Sequence, residues 1–194
     1  MTRLLDRVAL PQLVETHDPS LVKAAYSAVN SFVSLAVMAL VAHLSGLPFL
    51  FPSLGPTAFL LFYTPLTAPA SPRNTVLGHL VGCVSGYVAL AATGLLDAPP
   101  DLTDITWARL AASAIALGLT CGLMPLLGVA HPPAAATTLI VALGLLRTPG
   151  QLAVMMLAVA LLAAQGLLVN RLAGLPYPWW RAPRTPAVSG PAAG

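Results

Sequence analysis

The chain has 194 residues, of which 57% are hydrophobic and only 8% are charged. Soluble domains carry about 25% charged residues, so this composition cannot cover a water-soluble surface and predicts an integral membrane protein. The net charge of +3 is scattered and forms no basic stripe with interleaved aromatic residues. We therefore expect a lipid bilayer around the chain and no nucleic-acid partner.

The N-terminal segment, residues 1–23, is expected to be cytoplasmic or interfacial. It lacks the continuous apolar run of a signal peptide and contains three acidic residues. Asp18 followed by Pro19 is typical of a helix start, with Asp18 as the N-cap. A short helix on the membrane surface is predicted over 2–14.

Apolar blocks of membrane-spanning length fill most of the chain between residues 24 and 170. A crossing needs roughly 20 mostly apolar residues. Four blocks meet this criterion, namely 24–44, 75–96, 105–124 and 151–170. Two shorter segments, 48–66 and 126–146, each open with a stretch broken by proline and glycine and then become apolar.

The transmembrane domain, 24–170, therefore contains two similar halves. Each half, 24–96 and 105–170, has a long span, a short broken span and a second long span. Because each half has an odd number of crossings, the second is inverted relative to the first. The predicted fold is all-α, with about six transmembrane helices as two inverted three-helix repeats. The C-terminal tail, 171–194, is expected to be cytoplasmic and disordered after Arg181.

Charged residues favour six crossings over re-entrant short segments. Under six crossings, with both termini in the cytoplasm, seven basic residues face the cytoplasm: Arg3, Arg7, Lys23, Arg73, Arg171, Arg181 and Arg184. The acidic loop is then outside, with Asp97, Asp101 and Asp104 and only two arginines, Arg109 and Arg147. This is the bias of the positive-inside rule. We expect a bacterial inner membrane location.

The two broken segments are the candidate binding site. Short interrupted segments at corresponding positions of two halves indicate where a transporter binds its substrate. Each would place a helix N-terminus, with unpaired N–H groups and the positive end of the helix dipole, inside the bilayer, where it can bind an anion. The candidate substrate-binding residues are Ser53, Gly55, Thr57 and Ala58 in the first segment, and His131, Ala134, Ala135, Ala136, Thr137 and Thr138 in the second. The alternative is that the prolines kink helices that pack without a ligand.

The positions of the acidic residues in the sequence argue against several functions. All six of them lie outside the apolar blocks. Intramembrane carboxylates are the usual devices of cation sites, proton relays and acid–base catalysis, so we expect neither a cation transporter nor an enzyme. Cys83 and Cys121 are read as small hydrophobic residues, and no metal or cofactor is predicted. A small anion or a neutral solute remains.

Four polar side chains are candidates for the pathway to this site: Asn30, Arg73, Asn74 and His79. Arg73 with His79 would guide an anion, although Arg73 is also a suitable topology anchor at the headgroups. Asn30 would line the pathway or bond a neighbouring helix. His131 would orient the substrate or cap a helix.

Glycines at helical spacing predict close helix contacts. Gly78, Gly82 and Gly86 recur every four residues in the third span, and Gly118 and Gly122 do so in the fourth. Small residues at this spacing let two helix backbones approach closely. The contacts are expected within one subunit or between subunits.

Three stretches of the chain resemble the HPP family of integral membrane proteins. They are A-H-P-P-A-A-A-T-T-L at 130–139, S-L-G-P-T-A-F-L-L-F at 53–62 and S-P-R-N-T-V-L-G-H at 71–79. The resemblance covers roughly 24–170. Since family members from plastids and cyanobacteria are implicated in nitrite transport, it implies a permease for a small anion, with nitrite as the leading candidate. The alternatives are a permease for a neutral solute and a non-transporting membrane subunit. The small subunit size favours a homodimer or higher homo-oligomer.

Overall fold

The structure is a computed structural model that describes residues 9–100 and 102–183. Within these residues the chain is all-helical and contains no strand, as predicted. Seven α-helices are present: α1 (Leu10–Thr16), α2 (Pro19–Ser45), α3 (Leu54–Tyr63), α4 (Pro72–Ala92), α5 (Trp107–Leu126), α6 (Ala134–Ala142) and α7 (Pro149–Leu172). A single 3₁₀ turn, Ala68–Ala70, precedes α4.

The four long helices match the four predicted long spans in order. Helices α2, α4, α5 and α7 have 27, 21, 20 and 24 residues and are apolar enough to cross a membrane. Helix α4 ends at Ala92, before the predicted limit of residue 96, because Gly94 adopts the left-handed conformation (φ 71°) that terminates a helix.

The predicted helix start at Asp18 is confirmed. Its side chain accepts hydrogen bonds from the N–H groups of Ser20 (2.8 Å) and Leu21 (2.9 Å). The predicted helix over 2–14 lies partly outside the described residues; within them a helix spans Leu10–Thr16, with Pro11 in a first-turn position where its missing N–H costs nothing. Residues 1–8 and 184–194 lie outside the described residues, and with them most of the tail that was predicted to be disordered.

The two broken segments form helices much shorter than the segments themselves. Helix α3 has 10 residues and α6 has 9. A helix of this length spans about 15 Å, which is about half of the hydrocarbon core. Each is preceded by a tight turn, in which the N–H of Leu54 donates to Phe51 (2.9 Å) and that of Ala134 donates to His131 (3.0 Å).

The glycines of α4 allow its backbone to touch α6. A Cβ placed on Gly78 would lie 2.6 Å from His131 Cβ, and one on Gly82 would lie 2.8 Å from the carbonyl oxygen of Ala134. The predicted close contact is therefore present and lies within one chain. In α5, by contrast, a Cβ on Gly118 or Gly122 would meet nothing within 4 Å among the described residues.

Each short helix packs between one long helix of its own half and one of the other half. Helix α3 contacts α2 and α7, and α6 contacts α5 and α4. These four pairs, together with α4 against α5 and α7, form the helical bundle.

Hydrogen bonds tie the helix ends together at each end of the bundle. At one end, the Arg73 side chain donates to the Gly128 carbonyl (2.6 Å), and the Leu10 N–H donates to Ala173 (2.9 Å). At the other end, the Arg147 side chain donates to the Asp97 backbone carbonyl (2.8 Å), and that of Arg109 donates to the carbonyl at the end of α6.

Residues 173–181, here named the C-terminal strap, lie across the first of these ends. The Tyr177 hydroxyl donates to the Ala70 carbonyl, and the backbone N–H of Arg73 donates to the Trp180 carbonyl (2.9 Å). The guanidinium of Arg171 stacks 4.0 Å from the Trp179 ring centroid. The strap therefore holds the 3₁₀ turn before α4 in place.

Candidate functional site

A set of polar side chains fills the place where the two short helices begin. It is named the polar cluster and consists of Ser53, Thr57, His79, His131 and Thr137, all with an exposed fraction of 0%. Polar groups are expensive inside a membrane unless they are paired with one another or have a function. The cluster is therefore the candidate functional site.

His79 of α4 joins the two short helices. Its Nε2 lies 2.9 Å from Thr57 Oγ1 of α3, and its Nδ1 lies 2.7 Å from Thr137 Oγ1 of α6. Each threonine is the fourth residue of its helix. A single imidazole thus contacts equivalent positions of both helices.

His131 occupies the connection between α5 and α6. Its Nε2 lies 3.3 Å from Thr57 Oγ1, and its Nδ1 lies 2.7 Å from the Pro69 carbonyl in the 3₁₀ turn. The two imidazole rings have their centroids 5.0 Å apart. The histidines therefore approach Thr57 from two sides.

Ser53 completes the cluster and fixes the direction of the two helix starts. Thr137 donates to Ser53 Oγ (2.9 Å), and Thr57 donates to the Ser53 carbonyl (2.8 Å). Since Ser53 lies beside Thr137 while Thr57 lies beside His131, the starts of α3 and α6 run antiparallel. The structure thus brings together four of the predicted binding residues.

In the second broken segment, the backbone N–H groups predicted to bind an anion are occupied in this structure. Those of Ala134, Ala135 and Ala136 donate to the carbonyls three residues earlier, at 3.0, 3.0 and 3.1 Å. The turn before α6 is tight enough to satisfy them locally. Side-chain hydroxyls and imidazoles, rather than these N–H groups, are the prominent polar groups of the site.

The remaining predicted binding residues lie beside the cluster. The Thr138 hydroxyl bonds Thr120 of α5 (2.8 Å) and the Ala134 carbonyl (3.1 Å). Ala58 is fully buried in the apolar core. A Cβ placed on Gly55 would have no atom of the described residues within 4 Å.

The predicted pathway residues are dispersed. Asn30 donates to the Tyr26 carbonyl of its own helix (2.7 Å). Arg73 bonds the carbonyl of Gly128, and Asn74 bonds that of Ala130 (3.1 Å), so both hold the segment that leads to His131. His79, predicted to guide an anion together with Arg73, is instead the centre of the polar cluster. Gly78 and Gly82 mark the packed face of α4 on either side of His79, and this spacing was the sequence feature that could have indicated the burial of His79.

Arg109 is a buried structural residue, although its sequence position predicted only an outward-facing charge. It is 3% exposed, and it donates to the carbonyls of Ala142 (3.2 Å) and Pro99 (2.9 Å). A cation at a helix C-terminus also complements the negative end of the helix dipole. Arg109 therefore caps α6.

Both cysteines are free, Cys83 being buried in α4 and Cys121 exposed on α5. Within 9–100 and 102–183, no group of three histidine, cysteine or acidic residues is placed to hold a metal ion.

Four long apolar helices around a buried polar centre define a polytopic integral membrane protein. The chain matches the family described as "HPP, transmembrane region" over residues 16–178, and it belongs to that family. The family resemblance drawn from the three short motifs is thereby confirmed.

Two curated relatives are transmembrane proteins of Dictyostelium discoideum. One is 30% identical over 130 residues, which are 65% of this chain and 42% of that protein. The other is 31% identical over 119 residues, which are 59% and 35% of the two chains. The chain thus spans less than half the length of either relative. No solved structure matches it.

Proposed function

We propose that the protein is a permease or channel for a small inorganic anion, with nitrite as the leading candidate. The observation that carries this proposal is the polar cluster, in which two short helices and α4 contribute fully buried hydroxyl and imidazole groups. In membrane proteins such groups mark substrate and ion pathways. The cluster lies where the sequence of the two halves predicted the binding site.

The charge around the cluster favours an anion over a cation. The described acidic residues, including Asp18 and Asp97, lie at helix ends or in loops rather than within the spans. Both α3 and α6 direct their N-termini, the positive ends of their dipoles, toward the cluster. Hydroxyl and imidazole groups can donate hydrogen bonds to an oxyanion.

A cavity of about 280 Å³ at the start of α4, next to the segment that leads to His131, is suited to be the mouth of the site. Arg73, Asn74, Gly128 and Arg181 are among its lining residues. Two guanidinium groups raise the local concentration of anions. Asn74 also bonds the Ala130 carbonyl, directly before His131. Because the cluster itself is fully buried, passage requires states in which it opens to one side and then to the other.

We also propose six crossings as two inverted repeats, with the termini in the cytoplasm of a bacterial cell. The equivalent positions of Thr57 and Thr137 support the repeat. The hydrogen bonds at the bundle ends support six crossings. They join the start of α4 to the end of α5, and the start of α5 to the end of α6. With six crossings, the two ends joined in each case lie on the same side of the membrane. The open face at Gly118 and Gly122 offers a contact for a homodimer.

Uptake into proteoliposomes tests the proposal. Nitrite, nitrate, formate and chloride are compared in vesicles with and without the protein, and uptake of nitrite is expected. Thr57→Val and Thr137→Val each remove one cluster hydroxyl and retain the side-chain shape. Losing a hydrogen bond to a charged group costs about 1.5–3 kcal/mol, so uptake at low nitrite should fall about 10- to 100-fold.

Thr93→Val is the matched control, because the Thr93 hydroxyl bonds the Ala89 carbonyl of its own helix, away from the cluster. It should transport like the wild type. If no anion moves, the transport proposal is wrong. If uncharged solutes such as urea move instead, the neutral-solute alternative replaces it. If the two cluster variants match Thr93→Val, the cluster is not the route.

A further inference from the structure

Thr75 of α4 is fully buried, and its hydroxyl is unpaired within the part of the chain that the structure describes. Threonine hydroxyls in helices can bond the carbonyl four residues earlier, and those of Thr57, Thr93 and Thr138 do so here. The Thr75 hydroxyl does not make this bond, so its hydrogen is free. An unpaired polar group in the interior is costly and therefore requires an explanation.

Thr75 lies between the cavity at the start of α4 and the polar cluster. Asn74, which lines the cavity, precedes His79 by five residues, which is about 7.5 Å along the helix axis. Thr75 lies within this interval and precedes His79 by four residues. Side chains at this spacing are neighbours on one face of a helix. A small ion that moves from the cavity to His79 therefore passes the level of Thr75.

The other unpaired side-chain oxygens do not share this position. Three more are buried in the described residues, on Ser31, Ser85 and Gln165. Ser31 and Gln165 belong to α2 and α7, which contribute no side chain to the polar cluster. Ser85 belongs to α4, but it follows His79 by six residues and so lies on another face, beyond His79 from the cavity. Thr75 is thus the unpaired group on the way to the cluster.

The polar cluster itself has no spare hydrogen-bonding group. Every side-chain oxygen and ring nitrogen in it lies 2.7–3.3 Å from another polar atom. An anion that binds in the cluster must therefore replace a bond that is already present. The Thr75 hydroxyl has no such bond to lose, so its hydrogen bond to an anion is a net gain.

We propose that Thr75 binds the transported anion at a position between the mouth of the site and the polar cluster. Its hydroxyl donates a hydrogen bond to the anion after the anion leaves the guanidinium groups of Arg73 and Arg181 and before it reaches His79. The ligand is a small oxyanion, whose lone pairs accept this hydrogen, and a charged acceptor makes the bond stronger than one between neutral groups. This inference rests on the proposed anion transport.

Thr75→Val tests the proposal, because it removes the hydroxyl and keeps the shape of the side chain. Initial rates of uptake into proteoliposomes are measured over a range of nitrite concentrations, and the Tm is measured in detergent. Uptake at low nitrite should fall about 10- to 100-fold, since a hydrogen bond to a charged group is lost. The Tm should equal or exceed that of the wild type, since valine removes an unpaired polar group from the interior.

Two further variants serve as controls. Thr75→Ser retains the hydroxyl and should retain most of the uptake. Ser85→Ala removes an unpaired buried hydroxyl from the same helix, away from the path, and should transport nitrite like the wild type. A second measurement does not depend on transport. Because a ligand of the folded state raises the Tm, nitrite should raise the Tm of the wild type and of Thr75→Ser more than that of Thr75→Val.

The outcomes that overturn the proposal are distinguishable. Nitrite uptake by Thr75→Val equal to that of the wild type overturns the role of Thr75, while the proposed transport survives. A Tm of Thr75→Val well below that of the wild type, or a serine variant as defective as the valine variant, shows a structural role instead. An equal loss of uptake in Ser85→Ala overturns the assigned position. An absence of any anion uptake by the wild type overturns the proposed transport and this inference with it.

Discussion

The contact between α4 and α6 can be tested with a single methyl group. In Gly82→Ala, the new Cβ would lie 2.8 Å from the Ala134 carbonyl oxygen. A relaxed carbon–oxygen contact is about 3.3 Å, so the two helices must separate by about 0.5 Å. Because the obstacle is backbone, the whole of α6 has to move rather than one side chain.

This displacement should lower stability and loosen the polar cluster. Overpacking of this kind costs about 1–3 kcal/mol. For a chain of this size that corresponds to a fall in Tm of about 2–12 °C. The 2.7 Å contact between His79 and Thr137 joins the same two helices and would lengthen to about 3.2 Å, at the limit of a good hydrogen bond.

Thermal stability in detergent, followed by size-exclusion chromatography after heating, measures this effect. Gly122→Ala is the matched control, because it adds the same methyl to a long helix at a point where no described atom lies within 4 Å. Its Tm should stay unchanged or rise slightly, since alanine favours a helix over glycine. A Tm for Gly82→Ala equal to or above that of Gly122→Ala would refute the close packing of α4 on α6.

Two further predictions concern polar contacts outside the cluster. Arg73→Lys should lower the Tm by a few degrees in the same assay, because an ammonium cannot reproduce the forked guanidinium that bonds the Gly128 carbonyl. A Tm equal to that of the wild type would contradict a role for this bond. Asn170→Leu should cost about 0.6–2 kcal/mol, because Asn170 accepts from the Tyr26 hydroxyl (2.8 Å) and donates to the Leu61 carbonyl (3.0 Å), linking three helices. Tyr26→Phe alone should cause only part of that loss, and a larger effect for Tyr26→Phe than for Asn170→Leu would contradict the assignment.

The elements set by local chemistry were predictable from the sequence. Apolar length located the four long helices, and Asp18 with Pro19 located the start of α2. The glycine spacing identified the packed face of α4. Each of these features depends on residues close together in the chain, where helix periodicity and capping chemistry apply directly.

The centre of the site was not predictable in the same way. That His79 lies between Thr57 and Thr137 depends on how far α4 is rotated and how deeply it sits between two helices from different halves. Nothing local to residues 71–79 specifies either quantity. The burial of Arg109 has the same origin, since its acceptor at Ala142 belongs to another helix. Helix packing, rather than helix formation, decides these contacts.

The C-terminal strap sets the order in which the site can be assembled during biosynthesis. Pro69, the acceptor for His131, lies in the 3₁₀ turn that Tyr177 and Trp180 hold in place. Because Tyr177 and Trp180 follow α7, they leave the ribosome after all seven described helices have been synthesised. A nascent chain therefore has these helices before it can form the strap contacts that hold Pro69 opposite His131.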